Sequence, residues 1–394
     1  MSFDAELEDW SADAYAWQEE LNKSGAVDLG AELVDDWALL EKLLPAGWQE
    51  QARQTRAFLV GRPDGFDSPG SLLRVMLMHL AQGTSLRMTA RQATEGGVAD
   101  VCDVAVLKRL RRCGDWFGWM TQQLVSDLIS PLAPTPMLAF PNHRPVLVDG
   151  SVICEPGSKG ATWRVHFALD LLRGRCRQVE VTTTQEAESL TRFSWNAGDI
   201  VIADRNFSRV KCIRYVQQCG ADVLVRAKLN EPILRDAQGE RISMLSRLRT
   251  LPEQGVGDWQ VGLGEGEQRI PMRMIAWKMP DSEAHKARER LRKAASKQQR
   301  KLRPETVETA GYVFLLTTLK DAAASQILAL YRMRWQVELA FKRMKSLLGL
   351  GKLKKVDPDG ARAWLQGKLL IACLIEKMIA IGDLFSPRQS WHAA

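Results

Sequence analysis

The sequence lacks several features that mark whole classes of protein. None of its seven cysteines forms a C-x-x-C pair, and their number is odd, which excludes a disulfide framework and a zinc finger. It contains no apolar run of roughly 20 residues, the length that a helix needs to cross a bilayer. The acidic stretch 1–13 has no apolar segment typical of a secretory signal. These absences predict a reduced, cytoplasmic protein that does not contact a membrane.

The charge is unevenly distributed along the chain. The whole sequence has 394 residues and a net charge of +7, but residues 1–50 hold 13 acidic and only 2 basic side chains. The remainder of the chain is therefore strongly basic. An acidic N-terminal stretch on a basic protein favours a polyanionic partner, of which nucleic acid is one class. The hydrophobic content of 45% is that of a globular protein and excludes general disorder.

The first third of the chain has helical patterns and no strand signal. Apolar residues recur at helical spacing in residues 37–44 and again in residues 71–81, and Pro45 and Gly83 follow these runs. Three prolines in residues 130–136 cannot lie inside a helix. We therefore predict an all-helical N-terminal region, residues 1–135, that ends at a domain boundary.

Beyond this boundary the period changes to that of strands. Short β-branched runs alternate with a helical pattern, which predicts a mixed α/β sheet formed by residues 140–229 and 311–350. The predicted strands are 145–149, 163–171, 177–183, 199–204, 222–226 and 311–316. Residues 230–310 interrupt this pattern, and we predict a β-rich insertion with a basic segment. Residues 351–394 form a C-terminal helical region, with a helix over 361–381.

Two aspartates follow buried strands of the predicted sheet. Asp149 comes directly after the apolar run 146–148, and Asp204 comes after the run 200–203. Ligands of α/β proteins bind at the carboxyl ends of strands, and a buried carboxylate needs a partner such as a divalent cation. Asp-Gly is also an ordinary turn dipeptide, so turn formation is the alternative role for either residue alone.

A long helix predicted over residues 322–348 presents a row of polar side chains. At about 100° per residue, four of them fall within about 60° of one another, beside an apolar stripe that would pack on the sheet. These four are Tyr331, Arg334, Glu338 and Lys345. The alternative is a solvated face on which Arg334 and Glu338 form an i, i+4 ion pair.

The spacing Tyr331-x2-Arg334-x3-Glu338-x6-Lys345 resembles the Tyr-Arg-Glu-Lys signature of bacterial insertion-sequence transposases of insertion-sequence family four. Residues 148–151 (Val-Asp-Gly-Ser) resemble the first acidic motif of that family, and residues 203–207 (Ala-Asp-Arg-Asn-Phe) resemble the second. The family usually has Gly where this chain has Asn206. Asn tolerates a left-handed backbone better than most residues, so the same turn can form. The resemblance covers residues 70–385.

The resemblance implies a DDE catalytic core of RNase H-like fold, with Asp149, Asp204 and Glu338 as the catalytic and metal-binding triad. It also implies two Mg²⁺ ions, with Mn²⁺ as a substitute, which stabilise charge on the attacking and leaving oxygens of a phosphodiester. By the same resemblance, Tyr331, Arg334 and Lys345 hold a DNA phosphate beside the cleavage site. The implied partners are double-stranded DNA, as terminal inverted repeats and target, and a second copy of the chain in a synaptic complex.

Three further segments are candidates for DNA contacts. A helix-turn-helix pattern is predicted over residues 84–112, with Gly96 and Gly97 in the turn. In DNA-binding proteins, this motif places its second helix, here residues 98–112, in a major groove. Its basic end is a candidate DNA-binding surface, although the same charges also suit the dipole of the helix. That end comprises Lys108, Arg109, Arg111 and Arg112.

The basic segment 286–303 either follows phosphates or is a solvated helix. Some members of the resembled family stack a flipped base on an aromatic ring in the insertion. Trp259 and Trp277 are candidates here, but for both we favour core packing.

Three functional hypotheses follow from these observations. The first is a metal-dependent transposase that cleaves the ends of an insertion sequence and transfers the strand. The second is a non-catalytic DNA-binding relative that acts as a repressor. The third is an RNase H-like nuclease without strand transfer, which has no need for the three residues that hold a second DNA end.

Overall fold

The computed structural model describes residues 37–59, 65–128, 137, 139–229, 231–264 and 269–385. The chain divides into two compact units, residues 1–116 and residues 117–394. The predicted proline-rich boundary, 130–136, and the acidic stretch 1–13 lie outside the described residues.

The described part of the first unit is helical. Its helices are α1 (Trp37–Leu43), α2 (Trp48–Gln54), α3 (Pro69–Gln82), α4 (Leu86–Glu95) and α5 (Asp103–Leu110), and α6 (Gly114–Leu128) continues into the second unit. The core between these helices contains two stacked tryptophans, Trp48 and Trp116, whose ring centroids lie 6.1 Å apart. The indole N–H of Trp116 donates to the carbonyl oxygen of Trp48, so this buried polar group is satisfied.

Helix α3 shows how local sequence sets a helix end. The Ser68 side chain accepts a hydrogen bond from the backbone N–H of Ser71, and Pro69 occupies the first helical position. Gly83 ends the helix with a left-handed φ of 65°, a conformation that glycine adopts without a steric penalty. The helix predicted over 71–81 is therefore found, one turn longer in total.

The basic end of α5 contains one residue that differs from its neighbours. Lys108, Arg111 and Arg112 are exposed, whereas Arg109 is only 3% exposed. The guanidinium of Arg109 donates to the carbonyl oxygen of Ala57, 3.2 Å away. Arg109 thus faces the interior of its unit, and its predicted contact with DNA is corrected to a structural role. The helix itself begins at Asp103 and not at residue 98.

The second unit is built on one nine-stranded sheet. Its strands are β1 (Arg144–Ile153), β2 (Trp163–Asp170), β3 (Arg175–Thr183), β4 (Asp199–Ala203), β5 (Asp222–Arg226), β6 (Leu234–Arg235), β7 (Val256–Leu263), β8 (Ile270–Lys278) and β9 (Tyr312–Thr317). The spatial order is β3-β2-β1-β4-β5-β9-β8-β7-β6. Strands β1, β4 and β5 are parallel, and all the other pairings in the sheet are antiparallel. The predicted mixed α/β architecture is confirmed.

Strand β1 is longer than predicted. Its pairing with β4 stops at Val148 opposite Ala203, but its pairing with β2 continues to Ile153 opposite Trp163. Asp149 therefore lies inside β1 and not at its end, although it is the first residue beyond the parallel pairing. The antiparallel partner satisfies the backbone groups that a turn would otherwise leave open.

In residues 231–264 and 269–310, the structure has three strands and three helices. Strand β8 pairs with β9, so the strands of this segment extend the main sheet. The helices are α8 (Met244–Arg249), α9 (Asp281–Lys297) and α10 (Pro304–Thr309), and α9 carries most of the basic segment. Helix α7 (Val210–Gln218) joins β4 to β5, as the pattern of residues 209–219 predicts.

The helix predicted over 322–348 is interrupted, so its predicted continuity is wrong. Helix α11 (Ala324–Arg332) is followed by α12 (Trp335–Ser346), and i→i−3 hydrogen bonds connect them at Met333 and Arg334. Such tightening marks a local break in helical geometry. Helix α13 (Pro358–Phe385) follows. No helix in the described ranges is long and apolar enough to cross a membrane.

Candidate active site

The two aspartates lie side by side at one edge of the sheet. Val148 of β1 is in parallel register with Ala203 of β4. Asp149 follows Val148, and Asp204 follows Ala203. Adjacent strands lie roughly 5 Å apart, so the two carboxylates share one region of the edge. Asp204 begins a short turn, and its Oδ1 accepts a hydrogen bond from the backbone N–H of Asn206 at 2.7 Å.

Helix α12 brings the third acid to this edge. Its apolar face is buried against the sheet, and the rings of Phe341 and Phe167 lie 5.5 Å apart. Glu338 lies one turn before Phe341, on the border of the buried face, and its side chain is 54% exposed. The helix therefore packs by hydrophobic contact and holds a carboxylate at the rim of the sheet.

Arg334 connects two of the three acids. Its guanidinium forms an ion pair and hydrogen bond with Glu338, and its Nη1 lies 3.9 Å from Oδ2 of Asp149. The predicted i, i+4 pair between Arg334 and Glu338 is thus present. Glu338 is exposed, whereas Arg334 is only 20% exposed and also faces Asp149. One cation draws together carboxylates that are 189 positions apart in the chain.

Asp149 has an unusual acidity. Burial raises the pKa of its carboxyl group to about 6, and the negative charges of Asp204 and Glu338 also raise it. The backbone N–H of Gly150 and the guanidinium of Arg334 act in the opposite direction. A raised pKa in a cleft with several carboxylates identifies a candidate functional site, and the direct effect of Asp204 and Glu338 places all three acids within electrostatic reach.

The other two residues of the predicted polar row also face this edge. The phenol of Tyr331 lies near the guanidinium of Arg334. Burial raises the pKa of this phenol, and the negative charge of Asp204 acts in the same direction. Lys345 donates from Nζ to the carbonyl oxygen of Val152 at the far end of β1, at 3.1 Å. The row therefore follows the sheet edge from Asp204 to the end of β1.

An open groove of about 550 Å³ lies along two of the three acids, Asp149 and Glu338. Its lining includes Asp149, Glu338, Lys342 and Lys345. Within the part of the chain that the structure describes, no group of three His, Cys, Asp or Glu side chains is arranged to hold a metal ion. Glu338 is directed at Arg334 in this arrangement and shares that cation with Asp149.

A second cavity, of about 780 Å³, lies on the other side of Asp204. We call it the basic cleft, because five of its lining residues are cationic and only one, Glu231, is acidic. The five are Arg205, Arg226, Lys228, Arg290 and Arg303. Arg226 ends β5 in register with Asp204, since Ala203 pairs with Val225. Burial lowers the pKa of Arg226, and the positive charges of Arg205 and Arg334 lower it further.

The sequence patterns do not identify the basic cleft as a unit. Arg290 and Arg303 belong to the basic segment. Arg226 ends β5 and Lys228 follows it, and this strand carries no motif. The candidate tryptophans lie elsewhere: Trp259 packs partly on the core and covers Gly257, and the Trp277 ring lies 5.7 Å from the guanidinium of Arg332. These contacts favour the packing role that the sequence suggested for both.

Comparisons with known proteins agree on one group. Residues 156–374 match the family model described as the transposase DDE domain, a range that contains Asp204 and Glu338 and begins after Asp149. The transposase for insertion sequence element IS421 of Escherichia coli is 37% identical over 329 residues, covering 81% of this chain and 87% of that protein. InsL of insertion sequence element IS186A, from Escherichia coli strain K12, has the same identity and coverage over 328 residues.

More distant similarities have the same character. The transposase for insertion sequence element IS231F of Bacillus thuringiensis subsp. israelensis is 24% identical over 194 residues, or 44% of this chain and 40% of that protein. A cryo-EM structure of the piggyBac transposase synaptic complex with hairpin DNA aligns with a TM-score of 0.41 and 10% identity, over 90% of this chain and 83% of that chain. That score is too low to establish a common fold.

Proposed function

Because this chain belongs to the transposase DDE domain family, we propose that Asp149, Asp204 and Glu338 are its catalytic carboxylates. The chain is an insertion-sequence transposase, as the resemblance in its sequence predicted. Its assignment to family four and its Tyr-Arg-Glu-Lys signature stay predictions. The observation that carries the site assignment is geometric: Asp149 and Asp204 follow paired residues of neighbouring parallel strands, and Arg334 faces both Asp149 and Glu338.

The three acids fit the divalent metal ions that DDE transposases generally use. They offer only hard oxygen donors. Burial, and to a smaller degree the charges of Asp204 and Glu338, raise the pKa of Asp149, and a bound cation would offset both effects on its carboxylate. We propose that Asp149, Asp204 and Glu338 hold two Mg²⁺ ions, with Mn²⁺ as a substitute. When bound, such ions stabilise the charge that develops on the attacking and leaving oxygens of the phosphodiester.

The neighbouring cations orient the DNA. Arg334 carries a planar guanidinium that can hold a phosphate with two donors, and Lys345 adds a point charge at the other end of the groove. The phenol of Tyr331 lies within electrostatic reach of Arg334 and Asp204. In the structure Arg334 neutralises Glu338 and Asp149, so its transfer to a DNA phosphate frees both carboxylates for metal.

We propose a catalytic core of RNase H-like fold, with residues 230–310 as an insertion. The order β3-β2-β1-β4-β5, with an antiparallel meander followed by two parallel strands, supports this proposal. We also propose that exposed Lys108, Arg111 and Arg112 bind the terminal inverted repeats. Two copies would pair the element ends, and exposed apolar residues of α13, such as Met378 and Ile379, offer a surface for that contact.

The function is tested by incubating the purified chain with DNA that carries both ends of its element and a target plasmid, with and without Mg²⁺. We expect cleavage at the element ends and joining to the target, both dependent on the metal. Cleavage without joining would indicate the nuclease, and tight binding without cleavage would indicate the repressor. Either outcome would reject strand transfer as the activity of this chain.

We further propose that the basic cleft receives the DNA backbone on the Asp204 side of the cleavage site. Its five cations adjoin Asp204 through Arg205 and Arg226. Each phosphate neutralised by a protein cation releases counterions, so binding weakens as salt rises, with a slope of about −0.9 per phosphate contact on duplex DNA.

Removing two cations of the basic cleft should reduce that salt dependence. For Arg290→Ala with Arg303→Ala, we expect the slope of log K against log salt to fall by about 2, with weaker binding at every DNA sequence. Fluorescence anisotropy with a labelled duplex measures this. The matched control is Arg292→Ala with Lys301→Ala, two exposed residues that do not line the cleft. Equal slopes for the two double variants would contradict the proposed path.

A further inference from the structure

A fourth carboxylate, Glu188, lies at the same sheet edge and belongs to no motif. It is in the loop between β3 and β4, shortly before the helical turn Leu190–Arg192. Its side chain is 19% exposed, which is low for an acid in a loop. Three contacts hold it, one from β1, one from β2 and one from the turn that follows β4.

The first contact is with the backbone beside Asp149. A Cβ atom added to Gly150 would lie 2.5 Å from Oε1 of Glu188 and 3.2 Å from its Cγ. The Glu188 side chain therefore lies directly on the glycine, and any larger residue there would displace it. This close approach gives a physical reason for Gly in the Asp-Gly pair of β1.

The second contact fixes the carboxylate from β2. The Nε atom of Arg164 lies 3.7 Å from Oε1 of Glu188, and Arg164 also donates to the carbonyl oxygen of Glu186. Both side chains of the pair are less than one-fifth exposed. Solvent therefore screens this ion pair less than it screens a surface pair.

The third contact leads to the second catalytic acid. The side-chain amide of Asn206 donates to Oε2 of Glu188 at 3.4 Å, while the backbone N–H of Asn206 donates to Oδ1 of Asp204 at 2.7 Å. Asn206 thus joins Glu188 to Asp204. It is also the position at which the second acidic motif of this chain differs from the usual Gly, and a Gly could make no side-chain contact.

We propose that Glu188 is a positioning residue that holds Asp204 in its productive orientation through Asn206. Asp204 precedes the turn Arg205–Phe207, and its carboxylate is held by the backbone of Asn206, the residue whose side chain bonds to Glu188. Residues that orient a metal ligand typically change metal affinity or activity by about 10–100-fold when removed. The inference rests on the proposed role of Asp204 at the active site.

Glu188→Ala, Glu188→Gln and Asn206→Ala, singly and with Glu188→Ala, test this role. For Glu188→Ala we expect a 10–100-fold lower cleavage rate at saturating DNA, and a similar rise in the Mn²⁺ dissociation constant measured without DNA by calorimetry. The dissociation constant for DNA should stay unchanged. Glu188→Gln, whose amide oxygen can still accept from Asn206, should stay within about threefold of the wild type.

The double variant distinguishes a shared path from two separate effects. If Glu188 acts through Asn206, Glu188→Ala with Asn206→Ala should be no worse than the more defective single variant. The losses in rate are not additive when two residues act through the same contact. The matched control is Glu308→Ala, which removes a carboxylate paired with Arg249 in the segment between β5 and β9. It should leave both the rate and the Mn²⁺ affinity unchanged.

Three results would overturn the proposal: wild-type rate and Mn²⁺ affinity in Glu188→Ala, additive losses in the double variant, or a Glu188→Gln as defective as Glu188→Ala. The same assay with Asp204→Asn separates the two levels of the account. An inactive Asp204→Asn beside an unaffected Glu188→Ala would remove only the role of Glu188. An active Asp204→Asn would reject the proposed active site itself.

Discussion

Replacing Asp149 with Asn is expected to lower the rate of end cleavage by about 10³-fold or more, while DNA binding persists. The change keeps the shape of the side chain but removes the charge that would bind metal. Charge stabilisation by a bound metal contributes several kcal/mol, and about 4 kcal/mol corresponds to about 10³-fold in rate. Cleavage of labelled element ends at saturating Mg²⁺ and a parallel anisotropy titration measure the two quantities.

The control for this variant removes an aspartate charge elsewhere. Asp127 is 52% exposed and pairs with Lys377. It does not line the groove beside Asp149 and Glu338. Asp127→Asn should cleave at the wild-type rate. If Asp149→Asn also retained more than a tenth of that rate, Asp149 would not be a catalytic carboxylate.

The same variant should change stability in the opposite direction to activity. The pKa of Asp149 is raised from 3.8 to about 6 in the folded chain, so the folded state binds this proton more tightly than the unfolded state does. Its contribution to stability is therefore lost as pH rises from about 4 to about 6, and the ionised group destabilises the fold above pH 6. At pH 7.5 without metal, Asp149→Asn should raise the free energy of unfolding by about 1–3 kcal/mol.

Urea unfolding with and without Mg²⁺ measures this effect. Metal should stabilise the wild type, because it binds the folded state, and should do so much less for Asp149→Asn. A lower stability of the variant at pH 7.5 would show that the ionised carboxylate is stabilised where it lies, contrary to the burial and the neighbouring negative charges that raise its pKa.

Glu338→Gln is expected to lower cleavage by about 10²–10³-fold with an intact fold. The amide oxygen can still accept the hydrogen bond from Arg334, so the position of helix α12 is preserved. The lost charge removes one of the ligands proposed for the metal, and this costs several kcal/mol of stabilisation in the transition state. Single-turnover cleavage separates this loss from effects on binding or product release.

A second Arg–Glu pair provides the matched control. Arg249 bonds to both carboxylate oxygens of Glu308, at 2.8 and 2.7 Å, in the segment between β5 and β9. Glu308→Gln should leave cleavage unchanged. Equal activity of Glu338→Gln and Glu308→Gln would mean that the pair of Arg334 with Glu338 is an ordinary surface ion pair.

The strands, and with them the two aspartates, could be predicted because buried parallel strands are short apolar runs that end sharply. The prediction placed Asp149 at a strand end, whereas β1 continues through Gly150 and Ser151 because β2 pairs with them. Pairing with a distant segment is a tertiary effect that the local pattern of residues 145–153 does not contain. The position of Asp149 beyond the parallel pairing nevertheless agrees with the prediction.

Other features depend on contacts that no local pattern encodes. The break between α11 and α12 occurs in a stretch without Gly or Pro, so periodicity alone predicts one continuous helix. The burial of Arg109 could not be separated from the exposure of Lys108, since both belong to one basic run. Glu188 reaches the site because β1, β2 and the turn after β4 meet beside its loop, and its surrounding sequence has no recognisable motif.

The central claim is that residues 149, 204 and 338 hold metal together at one edge of the sheet. The most direct measurement is the anomalous diffraction of Mn²⁺ in crystals of the wild-type chain bound to element-end DNA. We predict Mn²⁺ at roughly 2.0–2.2 Å from carboxylate oxygens of Asp149, with Asp204 and Glu338 completing the ligands. Mn²⁺ bound elsewhere, with any of the three carboxylates directed away from it, would contradict the account.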